Sequence, residues 1–244
     1  MGNDMISIVI IAKNEEKYLP RLLNSIINQT YKDFEIIVSD AHSTDSTRKI
    51  AREYGCRIVD GGLPSVGRNN GARTAKGELI LFLDSDVMMP KHFLELNIKE
   101  FNRKNLACAT AIYVPISKKF IDKFLYFIYN KFALIMQYAL PYAGGFCIFA
   151  RKSVFDRCGG FDEKMLMCED HVFIKACLKY GKFRILKSAQ IFCDVRRLEK
   201  EGRLGLLKKY LYVGGYRIFF GDSYTPLVNY ELQGNVKIKK GERI

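Results

Sequence analysis

The chain has 244 residues, of which 39 are Lys or Arg and 26 are Asp or Glu, so its formal net charge is +13. This length fits one large domain or a domain with an appendage, and the charge favours an anionic partner: a phosphorylated substrate, an anionic membrane surface or nucleic acid. No uninterrupted apolar stretch reaches the ~18–20 residues that span a bilayer. The first residues lack the basic region of a signal peptide, so we expect no leader.

The cysteines show neither a C-x-x-C pair nor the spacing of a zinc site, and several lie in apolar segments. Reduced, mostly buried thiols are typical of an intracellular protein, so we expect a cytoplasmic location. The seven cysteines are Cys56, Cys108, Cys147, Cys158, Cys168, Cys177 and Cys193.

The first 90 residues alternate between strand and helix patterns. Apolar, β-branched runs predict strands, and apolar stripes at helical spacing predict helices. Strands are predicted at 5–11, 34–38, 56–59 and 78–83, and helices at 15–28, 43–54 and 65–76. This alternation predicts an α/β fold with a mostly parallel central sheet and helices on both faces.

Polar residues follow three of these strands: Asn14-Glu15, Asp40 and Asp84-Ser85-Asp86. Because ligands of open parallel sheets bind beyond the carboxyl ends of the strands, we expect these clusters to share one rim. Two carboxylates one residue apart repel each other, and a divalent cation such as Mg²⁺ or Mn²⁺ that holds a diphosphate would remove the conflict. The alternative is an acidic turn that caps the following helix.

The second half of the chain is less regular. Elements are predicted as helices at 90–102, 152–158 and 171–180, strands at 107–114 and 147–150, a last strand at 183–185 or 189–192, and an amphipathic stretch at 204–220. We divide the chain into a catalytic domain at 1–197 and a C-terminal amphipathic, helical extension at 198–244. The domain itself divides into a nucleotide-binding half at 1–90 and an acceptor half at 91–197.

Five motifs in order resemble those of family 2 glycosyltransferases, the inverting, nucleotide-sugar-dependent enzymes with the GT-A fold. The resemblance runs from about Ile6 to Arg197. It is carried by Asn14-Glu15, by Asp40-Ala41-His42-Ser43-Thr44-Asp45, by Gly67-Arg68-Asn69-Asn70-Gly71 with Ala75-Lys76-Gly77-Glu78, by Asp84-Ser85-Asp86, and by Gly144-Gly145 with Glu169-Asp170.

The resemblance implies a hexosyltransferase-type reaction in which a sugar passes from a nucleoside diphosphate, of the UDP or GDP type, to an acceptor hydroxyl with inversion. It implies that Asp86 binds a divalent metal, Mn²⁺ or Mg²⁺, directly and that Asp84 lies nearer the ribose and the water shell of the metal. Further nucleotide-sugar-binding positions are expected at Ala12, Asn14, Glu15, Asp40, Arg68, Ser85, Gly145, Arg196 and Arg197.

Within this set, Asp40 is expected to recognise the base and Glu15 to face the ribose. Arg196 and Arg197 are candidate diphosphate clamps, or else a basic surface patch. Arg68 is either a charge near the diphosphate or a solvated helix residue.

On the acceptor side, the resemblance implies that Asp170 is the general base and that Glu169 orients the acceptor or the base. The alternative is that both simply cap the next helix, where acidic residues are favoured. Gly145 would permit close approach of the sugar or the acceptor, or form a simple turn. The histidines show no ligand spacing, and we interpret them as structural.

Two departures from the family pattern bear on the reaction. The chain has no Trp and hence no Q-x-x-R-W motif, which favours transfer of a single sugar over polymerisation. No His follows His171, so a late contact to the metal would come from Asp194 or the arginines, or be absent. The competing functions are a nucleotidyltransferase, whose Gly-rich basic loop is absent after the first strand, and a non-catalytic nucleotide-sugar-binding protein.

The segment 118–140 is rich in aromatic residues and flanked by lysines. It is too polar to span a bilayer but apolar enough to lie on one, which predicts peripheral attachment to an anionic membrane on its cytoplasmic face. The acceptor would then be lipid-linked, or otherwise a glycan, and we expect no nucleic-acid partner. The alternative is a buried helix or a dimer interface.

Overall fold

The computed structural model describes residues 5–141, 143–231 and 237–241, so the first four residues and parts of the predicted extension lie outside the described residues. Its strands are β1 (Ile6–Ala12), β2 (Phe34–Asp40), β3 (Arg57–Asp60), β4 (Leu79–Asp84), β5 (Val87–Met88), β6 (Leu106–Pro115), β7 (Cys147–Arg151), β8 (Lys182–Cys193), β9 (Tyr230–Glu231) and β10 (Lys237–Ile238). Its helices are α1 (Leu19–Ile27), α2 (Thr47–Glu53), α3 (Pro64–Thr74), α4 (Phe93–Arg103), α5 (Phe120–Met136), α6 (Lys152–Cys158), α7 (Glu169–Cys177), α8 (Arg196–Glu201) and α9 (Arg203–Phe220).

One sheet organises the fold, with strand order β3-β2-β1-β4-β7-β6-β8-β5. Strands β1 to β4 pair in parallel, as do β6 and β8, whereas β7 runs antiparallel to β4 and β6 and β5 runs antiparallel to β8. The predicted parallel pairing of the first four strands is therefore confirmed, and the later strands mix the two directions. Strands β9 and β10 form a separate antiparallel pair.

Two hydrophobic cores cover the two faces of this sheet. Ile6, Ile8 and Ile10 of β1 pack into one core, and Val9 packs into the other. Successive side chains of a strand point to opposite faces, so a wholly apolar strand must be buried on both sides. The first core contains the apolar stripe of α1 and residues of α4, and the second contains residues of α3, α6 and α7.

The boundaries of several elements differ from the sequence-based prediction. Helix α1 begins at Leu19 rather than at residue 15, because Asn14 has a positive φ of 53° and Pro20 suits only the first turn of a helix. Helix α2 begins at Thr47 rather than at residue 43, and the amide of Thr47 donates to Asp45 Oδ1 at 2.9 Å.

The last strand of the sheet is also longer than predicted. The two alternative segments belong to one strand, β8, whose pairing with β6 shifts register between Ala111 and Ile112. Glu100 of α4 accepts from the amides of Lys187 and Ser188, each at 2.8 Å, and thereby satisfies the irregular turn of the strand. Strand β8 then ends at Cys193, at the rim of the sheet.

All seven cysteines are free, and five of them are buried, as expected. In the part of the chain that the structure describes, no helix is both long and apolar enough to cross a membrane.

Helix α3 packs on β1 at two glycines, Gly67 and Gly71. A Cβ atom at Gly71 would lie 2.3 Å from Cγ1 of Val9, and one at Gly67 would lie 3.1 Å from Cγ2 of Ile11. The absence of these two side chains allows the helix to approach the strand closely, and this packing places the next residue after Gly67, Arg68, at the rim.

We predict that Gly71→Ala lowers the free energy of unfolding by about 1–3 kcal/mol, because the added methyl group overpacks the contact with Val9. Gly214→Ala in α9 is the matched control, since nothing lies within 4 Å of its Cβ position. There the higher helix propensity of Ala should raise stability by up to about 1 kcal/mol. Denaturant unfolding measures both variants, and equal stabilities would contradict the close packing of α3 on β1.

Candidate active site

The predicted polar clusters do share one rim. In the register of the sheet Ala12 pairs with Asp40, and Ile11 pairs with Asp84, so β1, β2 and β4 all end at the same edge. Asp84 is the last residue of β4, and Asp86 precedes the short strand β5. Ser85 between them is fully buried.

Asp40 is buried at the end of β2. Its Oδ2 accepts from the amide of Ser43 at 3.1 Å and from Nη1 of Arg48 at 3.2 Å. Its Oδ1 is buried and has no hydrogen-bond partner among the described residues. A buried acceptor without a partner costs free energy, so this oxygen marks a position where a bound ligand with an N–H group would be stabilised.

Asn14 and Glu15 lie in the turn that follows β1. Asn14 donates its amide to Ser43 Oγ at 2.9 Å and accepts from the amide of Thr44 at 2.8 Å. The amide of Glu15 donates to Thr47 Oγ1 at 2.8 Å. These contacts fix the loop after β1 against the loop after β2, and together the two loops form one wall of the rim.

Arg196 of α8 joins this wall to Asp86. Its Nη1 and Nη2 donate to the two carboxylate oxygens of Glu15 at 2.9 and 2.7 Å, and its Nε donates to Asp86 Oδ2 at 2.9 Å. The guanidinium also lies over the ring of Tyr18, 4.5 Å from its centroid. An arginine of the C-terminal segment thus contacts Asp86 itself, while a late contact from this segment to a metal stays a prediction.

Burial is the largest influence on the pKa values of Glu15 and Asp86. Desolvation raises the pKa of Glu15, although the hydrogen bonds and charge of Arg196 oppose the shift. Desolvation likewise raises the pKa of Asp86 to about 7, again against Arg196 and with the help of the nearby charges of Asp84 and Glu15. Three carboxylates and one guanidinium therefore lie together at the rim, where the positive charge of Arg196 opposes the effect of burial.

Arg68 of α3 is the second arginine of the site, and it is 2% exposed. Its Nη1 donates to Glu169 Oε1 at 2.7 Å, and its Nη2 donates to Asp84 Oδ1 at 3.1 Å and to the carbonyl oxygen of Gly145 at 3.3 Å. The interpretation as a solvated helix residue is therefore wrong. Burial alone would lower the pKa of Arg68, but Asp84 and Glu169 outweigh it and raise the pKa.

Asn69, which follows Arg68 in the motif Gly67-Arg68-Asn69-Asn70-Gly71, has a structural role. Its side chain donates to the carbonyl oxygen of Phe161 and accepts from the amide of Phe161, both at 2.8 Å. A Cβ atom at Gly160 would lie 2.5 Å from Asn69 Oδ1. Helix α3 thus holds the loop that precedes α7 in place.

Gly145 permits a close approach, but the group that approaches is Arg68. A Cβ atom at Gly145 would lie 2.5 Å from Nη2 of Arg68 and 3.6 Å from Asp170 Oδ2. Any side chain here would therefore displace the arginine. Because Gly145 leaves room for Arg68, the arginine that binds Asp84 lies in the same site as Asp170.

Glu169 and Asp170 lie inside the first turn of α7, which begins at Glu169 rather than at His171, and their side chains reach the site. Asp170 Oδ1 accepts from the amide of His171 at 2.8 Å. Burial raises the pKa of both carboxyls, and repulsion from Asp170 adds to the shift of Glu169. In both residues the positive charge of Arg68 opposes the shift.

His171 contacts Nη1 of Arg217, which lies in α9. Burial, helped by the positive charge of Arg217, lowers the pKa of His171 to about 3. Arg217 is bound in turn by Asp222 at 2.6 Å. Helix α9 therefore packs beside the first turn of α7, a contact that sequence reasoning missed because no local pattern marks Arg217.

Arg197 donates from its Nε to Glu201 Oε1 in the same helix at 2.9 Å, and its guanidinium lies over the ring of Tyr210, 6.0 Å from the centroid. The structure brings together Glu15, Arg68, Asp84, Asp86, Glu169, Asp170 and Arg196. It also brings in Asp194, which the sequence suggested only as a late contact to the metal, and Arg21, which sequence reasoning missed. Arg21 Nη2 donates to Asp194 Oδ2 at 3.1 Å and to the carbonyl oxygen of Asp86 at 3.3 Å.

The donor groups at the rim suit a hard divalent cation. Asp84 and Asp86 each give one carboxylate oxygen to an arginine, which leaves a second oxygen on each. Among the described residues, no group of three or more His, Cys, Asp or Glu is arranged to hold a metal. A cation here would take its remaining ligands from phosphate oxygens and water, which is the usual coordination of Mg²⁺ in nucleotide sites.

Solved structures share this fold. The Staphylococcus aureus protein TarS, solved in complex with UDP, superposes with a TM-score of 0.63 at 21% identity, covering 84% of this chain and 65% of that one. The mannosyltransferase PcManGT from Pyrobaculum calidifontis, solved with GDP-Man and Mn²⁺, gives 0.65 at 19% identity, covering 78% of this chain and 56% of that one. These likenesses confirm the predicted GT-A type of α/β fold.

Sequence comparison identifies the family. A poly(ribitol-phosphate) beta-glucosyltransferase from Bacillus spizizenii is 42% identical over 92 residues, which are 33% of this chain and 14% of that protein. The chain thus matches a small part of this relative's length. The model of the family described as "Glycosyl transferase family 2" matches residues 7–159, which is more than half of the chain. The chain belongs to glycosyl transferase family 2.

Proposed function

We propose that the protein transfers a single sugar from a nucleoside-diphosphate sugar to an acceptor hydroxyl, with inversion at the anomeric carbon. The observation that carries the proposal is the position of Arg68, whose guanidinium binds Asp84 at the end of β4 and Glu169 beside Asp170. One buried cation thus joins Asp84, on the side that would bind the donor, to the immediate neighbour of the carboxylate that would activate the acceptor. The relatives that bind UDP and GDP-Man support this choice of donor class.

The nucleotide would lie against the wall formed by the loops after β1 and β2. Asp40 Oδ1, the buried acceptor without a partner, would accept a hydrogen bond from an N–H group of the base. Ala12 and Asn14 line the same edge, and Arg68 and Arg196 supply positive charge toward the diphosphate. The donor is accordingly of the UDP or GDP type.

Asp86, with Asp84 beside it, would hold a divalent cation, Mn²⁺ or Mg²⁺. The bound metal supplies Lewis-acid stabilisation of the departing diphosphate. Asp84 and Asp86 would fix the position of the positive metal charge at the rim. Arg196 is close enough to donate hydrogen bonds to the phosphate oxygens.

Asp170 is the general base in this proposal. Its burial raises its pKa and so makes the carboxylate a better proton acceptor for an attacking hydroxyl. Arg68 holds the neighbouring Glu169, which fixes the first turn of α7. His171 is a poor alternative base, because its pKa of about 3 leaves little affinity for a proton at neutral pH.

Two substitutions separate donor binding from proton transfer. Asp86→Ala should lose both donor binding and turnover, whereas Asp170→Asn should keep donor binding and lose turnover by about 10²–10⁴-fold, the usual contribution of a general base. Nucleoside diphosphate release from UDP- and GDP-sugars, with Mn²⁺ or Mg²⁺ and with glycan or lipid-linked acceptors, measures turnover. Calorimetry measures donor binding.

The control for this pair is Asp156→Asn, since Asp156 is a half-exposed carboxylate that binds Lys152 outside the site. It should behave as the wild type in both assays. Turnover that survives both Asp86→Ala and Asp170→Asn would overturn the proposed reaction, and donor binding without any turnover would favour a non-catalytic nucleotide-sugar-binding protein.

His171 should remain neutral across the physiological range. Its ring resonances, assigned by comparison with His171→Gln, should not titrate between about pH 5 and 8, because the folded pKa is about 3. In the unfolded chain the imidazole gains its proton near pH 6.5. Stability should therefore fall as the pH drops from about 6.5 towards 3, and fall less in the variant. A folded-state titration midpoint near 6.5 would contradict this environment.

We further propose that α5 and α9 attach the protein to an anionic membrane and that the acceptor is lipid-linked. Asp122 of α5 is fully buried and accepts from Nε and Nη2 of Arg203 at 2.6 and 2.9 Å. Because Arg203 is the first residue of α9, this ion pair fixes the two helices to each other.

The outward faces of both helices are apolar. On α5 and just after it, the exposed side chains are Phe120, Ile121, Phe124, Phe127, Ile128, Phe132, Ile135, Tyr138 and Leu140; on α9 they are Leu204, Leu207, Tyr210, Leu211, Tyr212, Ile218, Phe219 and Phe220. Exposed lysines, among them Lys118, Lys119, Lys123 and Lys131, accompany the face of α5. Large exposed apolar surfaces mark interaction sites, and basic residues beside them favour anionic lipid headgroups.

The double variant Phe127→Ser with Ile135→Ser tests the membrane surface. These side chains are 56% and 72% exposed, so their loss should leave the fold intact. Co-sedimentation with phosphatidylglycerol vesicles should fall by at least about tenfold, since each apolar side chain contributes roughly 1 kcal/mol or more when it enters the interface. Wild-type binding should also weaken at high salt.

Leu96→Ser on α4 is the matched control, because Leu96 is exposed to 40% but belongs to neither helix. It should bind vesicles as the wild type does. Absence of wild-type binding to anionic vesicles at low salt would overturn the membrane proposal, and a stable dimer that buries these faces would replace the membrane with a second copy of the chain.

A further inference from the structure

We infer that Arg196 is a resident cation that holds Asp86 until a divalent metal arrives together with the nucleotide. On this view Arg196 then transfers its Nε hydrogen bond from Asp86 to the diphosphate while it stays anchored on Glu15. The inference rests on the proposed function, because it takes Asp86 as the metal ligand. It adds an order of events: the metal binds weakly without the nucleotide and strongly with it.

The three hydrogen bonds of the guanidinium are not equivalent. The two bonds to Glu15 end on a side chain that is 0% exposed, whereas the bond to Asp86 ends on a side chain that is 18% exposed and lies at the rim. Removal of the arginine from Glu15 would leave a buried charge without a partner, which is strongly unfavourable. The bond to Asp86 is the one that a cation can replace.

The backbone around Arg196 restricts the exchange to its side chain. The amide of Arg196 donates to Asp194 Oδ1 at 2.9 Å, and the amide of Asp194 donates to the carbonyl oxygen of Asp86 at 3.2 Å. Arg21 binds the other oxygen of Asp194 at 3.1 Å. The start of α8 is thereby tied to the rim, so Glu15 acts as a positioning residue that keeps Arg196 beside the diphosphate site.

The charges explain why metal and nucleotide would bind together. Glu15, Asp84 and Asp86 would attract a divalent cation if they stood alone, but Arg196 neutralises part of that charge and takes one oxygen of Asp86. A diphosphate supplies new ligands for the metal and a new acceptor for the guanidinium. Bound nucleotide therefore raises the affinity for the metal. Because the coupling must be reciprocal, bound metal raises the affinity for the nucleotide by the same factor.

Electron paramagnetic resonance of free Mn²⁺ measures this coupling without any turnover. In the wild type, UDP should raise the affinity for Mn²⁺ by a factor within the usual allosteric range of about 5–150. Arg196→Gln should bind Mn²⁺ alone at least about fivefold more tightly than the wild type and should show a smaller effect of UDP. Circular dichroism checks that the variant is folded.

Arg196→Lys is the second variant, because it keeps a cation for the buried Glu15 but lacks the planar fork that reaches both carboxylates. It should shift Mn²⁺ binding in the same direction. Arg157→Gln is the control for a lost positive charge, since Arg157 lies over the ring of Tyr180 and not at the rim, and it should bind Mn²⁺ as the wild type does.

Asp86→Asn distinguishes failure of the exchange at Arg196 from failure of the proposed metal site. If this variant loses Mn²⁺ binding while both Arg196 variants bind Mn²⁺ as the wild type does, with the same response to UDP, the exchange is overturned and the metal site stands. If Asp86→Asn binds Mn²⁺ as the wild type does, the proposed metal site and the exchange both fail. Tighter binding in both Arg196 variants, with loss in Asp86→Asn, supports the exchange.

Discussion

The burial of Arg68 is the constraint on which the rest of the site depends. A guanidinium that is 2% exposed is stable only when carboxylates and carbonyl groups surround it, and here Asp84, Glu169 and the carbonyl oxygen of Gly145 do so. These partners come from both halves of the sheet. Helix α3 can deliver the arginine because Gly67 and Gly71 allow it to pack closely on β1.

A second arginine likewise binds two carboxylates at the rim. Arg196 comes from the C-terminal part of the chain and binds Glu15 near its beginning, across a separation of 181 residues. The two arginines thus divide the acidic residues between them: Arg68 serves Asp84 and Glu169, and Arg196 serves Glu15 and Asp86. Burial raises the pKa of Glu15, Asp86, Glu169 and Asp170, and the arginines oppose that shift at each of them.

The rim could be predicted from the sequence because it follows from local patterns. Apolar runs define the strands, parallel strands end at one edge, and the polar residues that follow them, such as Asp40 and Asp84, must then be neighbours. The partners of the arginines could not be predicted, since ion pairs between distant segments leave no periodic signal. For the same reason the contact of Arg217 with His171 and the pair formed by Asp122 and Arg203 appear only in the folded chain.

The central claim is that Asp84-Ser85-Asp86 holds the donor diphosphate through a metal while Asp170 faces the same site. Anomalous scattering from crystals grown with Mn²⁺ and UDP tests it most directly. We expect a manganese peak in contact with a carboxylate oxygen of Asp86 and with the diphosphate, and the base near Asp40. Ordered UDP at another surface, or a manganese peak remote from Asp86, would contradict it.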